Sequence, residues 1–265
     1  MTTSTASRPR TTAVIPPRLG GFNPTLLRIE ALRVFRNRRT VVFTLVVPVL
    51  FFLMFGTDAS YVRQNAGHGN VVAFVMVSMA AYGALIASTG GGASVATERA
   101  LGWSRQLRLT PLTPAAYVMV KVLLAMSLGA ISVAAVFTAG ALGSAHMDEV
   151  WRWTACALLA WVGSLVFAAF GLFMGYLLPS ENVMQLIGPG LAVLAFLGGL
   201  FMPLQDGSTL EVVARFTPMY GIGRLAHAPL TGDPVQWWWI ANVVAWFAVF
   251  AGGAAWRFRR DTARV

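Results

Sequence analysis

The stretch NVVAFVMVSMAAYGALIASTGGGASVATERALGWSRQLRLTPLTPAAY, residues 70–117, joins a long apolar segment directly to a charged one. Residues 70–96 carry no charged side chain, and they are long enough to cross a bilayer, because about 20 helical residues span about 30 Å of hydrocarbon. The residues after them gather charge and end at two prolines: Glu98, Arg99, Arg105, Arg108, Pro111 and Pro114. The sequence therefore predicts a membrane-spanning helix followed by a charged segment at one membrane surface.

The rest of the chain has the composition of a polytopic membrane protein. Of its 265 residues, 57% are hydrophobic and 11% are charged, whereas soluble domains carry about 25% charged residues. We expect an all-α protein whose transmembrane domain, residues 40–256, has six spans. These spans are predicted at residues 40–56, 70–96, 115–143, 153–178, 183–201 and 237–256.

Basic residues predict the orientation of these spans. With the N-terminus inside, 16 of the 20 Lys and Arg residues fall in inner segments and four in outer ones, which is the distribution of the positive-inside rule. Both termini are then cytoplasmic: residues 1–22, rich in Ser, Thr, Pro and Arg, as a disordered tail, and residues 257–265 as a second tail. Nineteen of the 20 basic residues are arginine, a bias that favours a bacterial genome and hence the bacterial inner membrane.

Two other segments are amphipathic. Residues 23–39 predict a helix on the inner membrane surface, because Leu26, Ile29, Leu32 and Phe35 alternate with arginines; a simple positively charged anchor is the alternative. Residues 202–236 are too polar for a span and predict two short helices that dip into the outer leaflet. Within the fourth span, Gly171 and Gly175 form a G-x-x-x-G pattern that could seat a close helix contact.

Several classes of function are disfavoured by the sequence. The net charge of +10 lacks the aromatic-interleaved basic face or module of a nucleic-acid binder. G-x-S-x-G and H-E-x-x-H motifs are absent, and the single lysine, Lys121, cannot form a Walker A motif. The sole cysteine, Cys156, leaves no partner for a disulfide or a cysteine metal cluster. We therefore expect no catalytic residues, metal or cofactor on this chain.

The acidic residues indicate how transport would be driven. All ten lie outside the cores of the six predicted spans, whereas carriers coupled to protons or sodium need ionisable side chains within them. If the protein moves a compound uphill, its energy should come from another protein.

The charged segment resembles a known family. Residues 98–112 follow the pattern E-R-x-x-G-x-x-R-x-L-R-x-T-P-L, which is similar to the inner loop of type-2 ABC transporter permeases. The stretches GGLFMPL, residues 198–204, and VARFTPMY, residues 213–220, resemble the region of that family around its last outer loop. The T-P-L form is most similar to daunorubicin-resistance and related multidrug exporter membrane subunits.

This resemblance implies a coupling helix within residues 97–110, named here the coupling segment, which fits into a separate ATPase subunit. The residues implied in ATPase coupling are Glu98, Arg99, Gly102, Arg105, Arg108, Thr110 and Pro111. The surface helix before the first span would add a second contact. Two ATPase copies, which bind ATP and Mg, would act on two permease subunits, identical or homologous. Since the second and fifth spans line the substrate path in the family, the candidate path residues are Tyr82, Ser88, Gln185 and Phe196.

The cargo is less defined than the architecture. The leading hypothesis is a subunit that exports an amphipathic drug-like compound or a lipid through the plasma membrane. A permease for a lipid-linked glycan, and a non-transporting membrane sensor or assembly protein, are the alternatives.

Overall fold

The computed structural model describes residues 24–102, 113–202, 204 and 207–263. Within these residues the chain is helical and contains no β-strand. The helices, in chain order, are α1 (Pro24–Arg36), α2 (Arg38–Gly56), α3 (Ala59–Arg63), α4 (Val71–Ala100), α5 (Pro114–Leu142), α6 (Val150–Gly163), α7 (Leu165–Leu177), α8 (Ser180–Leu197), α9 (Thr209–Ala214), α10 (Pro218–Thr231) and α11 (Trp237–Ala263).

Five helical stretches in the described residues are long and apolar enough to cross a membrane. They are Val71–Ala100, Ala115–Leu142, Val150–Leu177, Ser180–Leu197 and Trp237–Arg260. The predicted spans two to six fall on these stretches, with ends displaced by a few residues. The predicted first span lies in α2, whose apolar part, Thr44–Gly56, is shorter than the other five stretches. That α2 crosses the membrane, which would make six spans in all, therefore stays a prediction.

One of the five stretches consists of two helices. The stretch Val150–Leu177 is interrupted at Ser164, which separates α6 from α7. The Ser164 hydroxyl donates to the Trp161 carbonyl at 2.6 Å, and such a bond back to the preceding turn bends helices. Hydropathy alone could not predict this break, since the apolar run continues through it.

Helix ends follow from local sequence signals. Asn70 caps α4 through a hydrogen bond to its side chain from the Ala73 amide, at 3.0 Å. Thr113 caps α5 in the same way, and proline follows it at the first helical position. Gly232 ends α10 with φ of 78°, a left-handed conformation that glycine adopts without strain. These signals fix where each membrane helix begins or turns.

Helix α4 lies at the centre of the bundle, where it packs against α2, α5, α7 and α8. Its contact with α7 is close enough to bring the two backbones together. A Cβ atom on Gly171 would lie 2.2 Å from the Thr89 carbonyl oxygen, and one on Gly92 would lie 2.5 Å from that of Ala168. The G-x-x-x-G pattern therefore does seat a close helix contact, and its partner is α4.

Candidate functional site

Three helices meet at one buried ammonium group. Lys121 of α5 is 3% exposed, and its Nζ lies 2.5 Å from Glu98 Oε1 of α4 and 3.0 Å from Glu30 Oε2 of α1. The two carboxylate residues are themselves buried. The Tyr117 hydroxyl, one turn before Lys121 on α5, donates to the second oxygen of Glu98.

Arg33 completes this group of charges. Its Nη1 lies 3.6 Å from Glu98 Oε1 and 3.8 Å from Glu30 Oε1, and its side chain is half exposed. We call Glu30, Arg33, Glu98, Tyr117 and Lys121 the three-helix charge cluster. It holds two negative and two positive charges, so burial leaves no net charge. Removing one partner of such a buried pair typically costs about 3–5 kcal/mol, because the other charge is left uncompensated.

Arg99, the next residue after Glu98, binds a different neighbour of α4. Its Nη1 donates to the carbonyl oxygens of Gly175 and Tyr176, at 3.1 and 2.9 Å, in the last turn of α7. Its guanidinium also lies 5.7 Å from the centre of the Tyr176 ring. The last carbonyls of a helix have no partner within the helix and carry partial negative charge, so a cation satisfies them well. Arg99 therefore joins α4 to α7.

The structure describes part of the predicted coupling segment. Helix α4 ends at Ala100, and Gly102 turns the chain with φ of 72°. Glu98 and Gly102 thus do not share one continuous helical face. The predicted coupling residues Arg105, Arg108, Thr110 and Pro111 lie outside the described residues, and the role of the whole set stays a prediction.

Glu98 is buried, although it belongs to the predicted coupling segment. Its side chain is 6% exposed and faces α5 and α1. The Lys121 ammonium is held between Glu98 and Glu30 inside the bundle. Glu98 therefore joins helices of this chain at the base of the coupling segment, and its role in ATPase coupling stays a prediction.

The four candidate path residues occupy two different environments. Tyr82 lies in the core between the rings of Phe51 and Phe201, with ring centres 6.4 and 5.1 Å away. Ser88 is buried and donates to Ser164 Oγ at 3.0 Å. Gln185 and Phe196 are instead exposed on α8. The structure does not bring these four residues together, and their role in a path stays a prediction.

A second buried charge lies at the other end of the bundle, in α9. The Glu211 side chain is 2% exposed and accepts hydrogen bonds from the Gly207 amide, Arg215 and the Tyr220 hydroxyl, at 2.9, 2.9 and 3.0 Å. Burial raises the pKa of Glu211, but these three donors outweigh it, so the net pKa is below the ordinary value. Arg224 of α10 lies 3.8 Å from the same carboxylate. Glu211 therefore ties α9 to α10 as an anion.

His227 joins α10 to the central helix. Its Nδ1 lies 2.8 Å from the Gly223 carbonyl oxygen, and its Nε2 lies 3.0 Å from the Ser78 hydroxyl of α4 and 3.2 Å from the Phe74 carbonyl oxygen. Burial lowers the pKa of His227, and the nearby Arg224 lowers it further, against the smaller effect of the carbonyl groups.

The sequence predicted neither the three-helix charge cluster nor the contacts of Glu211 and His227. Hydropathy does not distinguish His227, which is buried, from His68 and His146, which are exposed. Partners of these residues lie far apart in the chain: Glu30 is 91 residues from Lys121, and Ser78 is 149 residues from His227. A single sequence carries no signal that would pair them.

In the described part of the chain, a bundle of apolar spans carries buried charges near its two ends, and this is the arrangement of a multi-pass helical membrane protein. The family model described as ABC-2 type transporter matches residues 24–225, and the chain belongs to this family. The resemblance seen in the sequence is thereby confirmed: the protein is a type-2 ABC permease, a class of membrane subunit that works with an ATPase subunit.

A curated relative agrees with this assignment. The putative transport permease YvfS of Bacillus subtilis (strain 168) is 25% identical over 224 residues, which cover 83% of this chain and 90% of that protein. The similarity therefore extends over most of both proteins.

Proposed function

We propose that this chain is the membrane-spanning subunit of an ATP-driven exporter whose ATPase is a separate protein. Two ATPase copies, loaded with ATP and Mg, act on two permease subunits, identical or homologous. The assembly moves an amphipathic drug-like compound or a lipid outward through the bacterial inner membrane. In this proposal α2 is the first of six spans, and both termini are cytoplasmic.

One observation carries this proposal most directly. Two residues of the coupling segment, Glu98 and Arg99, bind two different neighbours of α4, namely α5 and α7. A force applied to the coupling segment therefore reaches several membrane helices through short polar contacts. This arrangement suits a permease that is moved by a partner and carries no energy source of its own.

The exposed surfaces favour an amphipathic cargo. Helix α8 presents Leu186, Val193 and Phe196 outward, and α2 presents Leu50 and Leu53. Apolar faces of this kind can contact lipid, a second permease subunit or a cargo that partitions into the bilayer. The buried Tyr82 lies between Phe51 of α2 and Phe201, which follows α8, so a rearrangement of these elements would expose a polar hydroxyl within an apolar passage.

Reconstitution tests the proposal. The chain is co-purified with its ATPase and placed in inverted proteoliposomes with daunorubicin, or with a fluorescent phosphatidylethanolamine, as probe. We expect ATP-dependent movement of at least one probe and none with an ATPase whose Walker A lysine is replaced. ATP-independent pumping by the permease alone would contradict the proposal. ATP turnover without movement of either probe would favour a lipid-linked glycan, and failure to bind any ATPase would favour a sensor or assembly protein.

A further inference from the structure

We infer that Lys121 is a positioning residue, which locks the base of the coupling segment to α1 and α5 so that the three helices move as one unit. The inference rests on the proposed function, because it concerns how motion of the coupling segment reaches the membrane domain. It assigns a role to the three-helix charge cluster, in which Glu98 is the one member that lies within the coupling segment.

The geometry makes Lys121 the centre of the cluster. Its ammonium contacts carboxylates from two other helices, at 2.5 and 3.0 Å, so one side chain closes a junction of α1, α4 and α5. An ammonium suits this position because it is compact and has three donors that can point in different directions. It is also the only lysine among 20 basic residues. A residue needed only for orientation would be exposed, whereas Lys121 is 3% exposed.

Stability alone does not account for such a cluster. Buried ion pairs can often be replaced by well-packed apolar side chains without loss of stability, so they are weak evidence of a purely stabilising role. What they do supply is a fixed geometry, because separating the partners leaves a charge unpaired in an apolar setting. The three helices are therefore expected to stay together while other contacts change.

The three-helix charge cluster lies at the base of the coupling segment, where a rigid junction can transmit motion. Glu98 precedes the end of α4 by two residues, and Arg99 joins the same turn to α7. The base of the coupling segment is thus fixed to two neighbouring helices, α5 and α7. A displacement of the segment moves α1 and α5 through Lys121, and it moves α7 through Arg99.

The test is a charge-balanced double variant, Glu30→Gln with Lys121→Met. It removes one negative and one positive charge and leaves Arg33 to pair with Glu98, so the variant should fold. The matched control is Asp58→Asn with Arg63→Gln, which also removes one charge of each sign, but at the exposed helix α3. Asparagine still caps a helix, so the control keeps its local structure.

The measurement is the ratio of transport rate to ATP turnover in proteoliposomes with the two probes named above. We expect this ratio to fall by about fivefold or more in the test variant, the lower end of typical coupling between sites, while ATP turnover and ATPase binding persist. The control should keep the wild-type ratio. A purely structural role would lower transport and turnover together, so an unchanged ratio in the folded test variant overturns the inference.

A milder variant covers the case in which the double variant does not fold. Tyr117→Phe removes only the hydroxyl bound to Glu98, and it should lower the same ratio by about twofold or more, the lower end of the effect of losing one hydrogen bond. An unchanged ratio in Tyr117→Phe also overturns the inference. A wild-type complex without ATP-dependent transport overturns the proposed function itself, and this inference with it.

Discussion

Replacing Gly171 with alanine should loosen the contact between α7 and α4. Gly171 faces the backbone of Thr89, and an added Cβ would lie 2.2 Å from its carbonyl oxygen and 2.9 Å from its Cα. A carbon atom normally stays about 3.3–3.6 Å from a carbonyl oxygen. Because the obstacle is backbone, no side-chain rotation can relieve the overlap, and the two helices must move apart by about 1 Å.

The cost can be worked out from opposing effects. Overpacking of a tight interior typically costs about 1–3 kcal/mol, and the severity of this overlap places it in the upper part of that range. Alanine recovers up to about 1 kcal/mol, because it favours the helix over glycine. The net loss should be about 1–2 kcal/mol, which corresponds to a fall in the unfolding midpoint of about 2–8 °C for a chain of this size.

Thermal unfolding of the purified protein in detergent, followed by tryptophan fluorescence, measures this loss. Gly90→Ala in α4 is the matched control, because nothing lies within 4 Å of its added Cβ. The unfolding midpoint of Gly175→Ala should lie between those of the other two variants, since the Cα of Ala93 would be 3.3 Å from the added Cβ. If Gly171→Ala unfolds at the same temperature as Gly90→Ala, the close approach of the two helices is wrong.

Two further predictions concern the buried ionisable groups at the other end of the bundle. Because burial lowers the pKa of His227, the unfolded chain binds its proton more readily than the folded one, so stability should fall as the pH drops below about 6.5. The unfolding midpoint should fall from pH 7.5 to pH 5, and by less in His227→Gln; equal falls would contradict the assignment. Glu211→Gln should lower stability at pH 7 by about 1–3 kcal/mol, since it removes the charge that binds Arg215. This loss of stability should become smaller as the pH falls below 4.5, the ordinary pKa of Glu, because the pKa of Glu211 is lowered in the folded protein. A loss of stability that stays constant with pH would contradict the lowered pKa.

The spans were predictable because the bilayer imposes a simple rule. Backbone groups in hydrocarbon must bond within their own helix, and the side chains around them must be apolar. A run such as residues 70–96 therefore predicts a helix, and α4 extends over Val71–Ala100. Local signals such as the caps at Asn70 and Thr113 are equally visible in a sequence.

The interior of the site was not predictable, because its contacts join distant parts of the chain. Whether Glu98 faces an outside partner or Lys121 depends on the rotation of α4 relative to α5, and hydropathy does not determine that rotation in a helix that is apolar all round. Arg99 illustrates the same limit, since its acceptors are backbone carbonyls of α7. Because every residue has a backbone carbonyl, the residue types of α7 do not indicate which of them accepts a hydrogen bond.

The placement of charge also indicates where the bundle can open. Contacts between apolar helices resist separation little in a membrane, because lipid tails are as apolar as the side chains they would replace. Ion pairs such as those at Lys121 and Glu211 resist it strongly, since a separated charge loses its partner. Helices joined by these pairs should therefore move together, and separation should occur along apolar contacts. The rings of Phe51, Tyr82 and Phe201, from α2, α4 and the segment after α8, form such a contact, and it contains no ion pair.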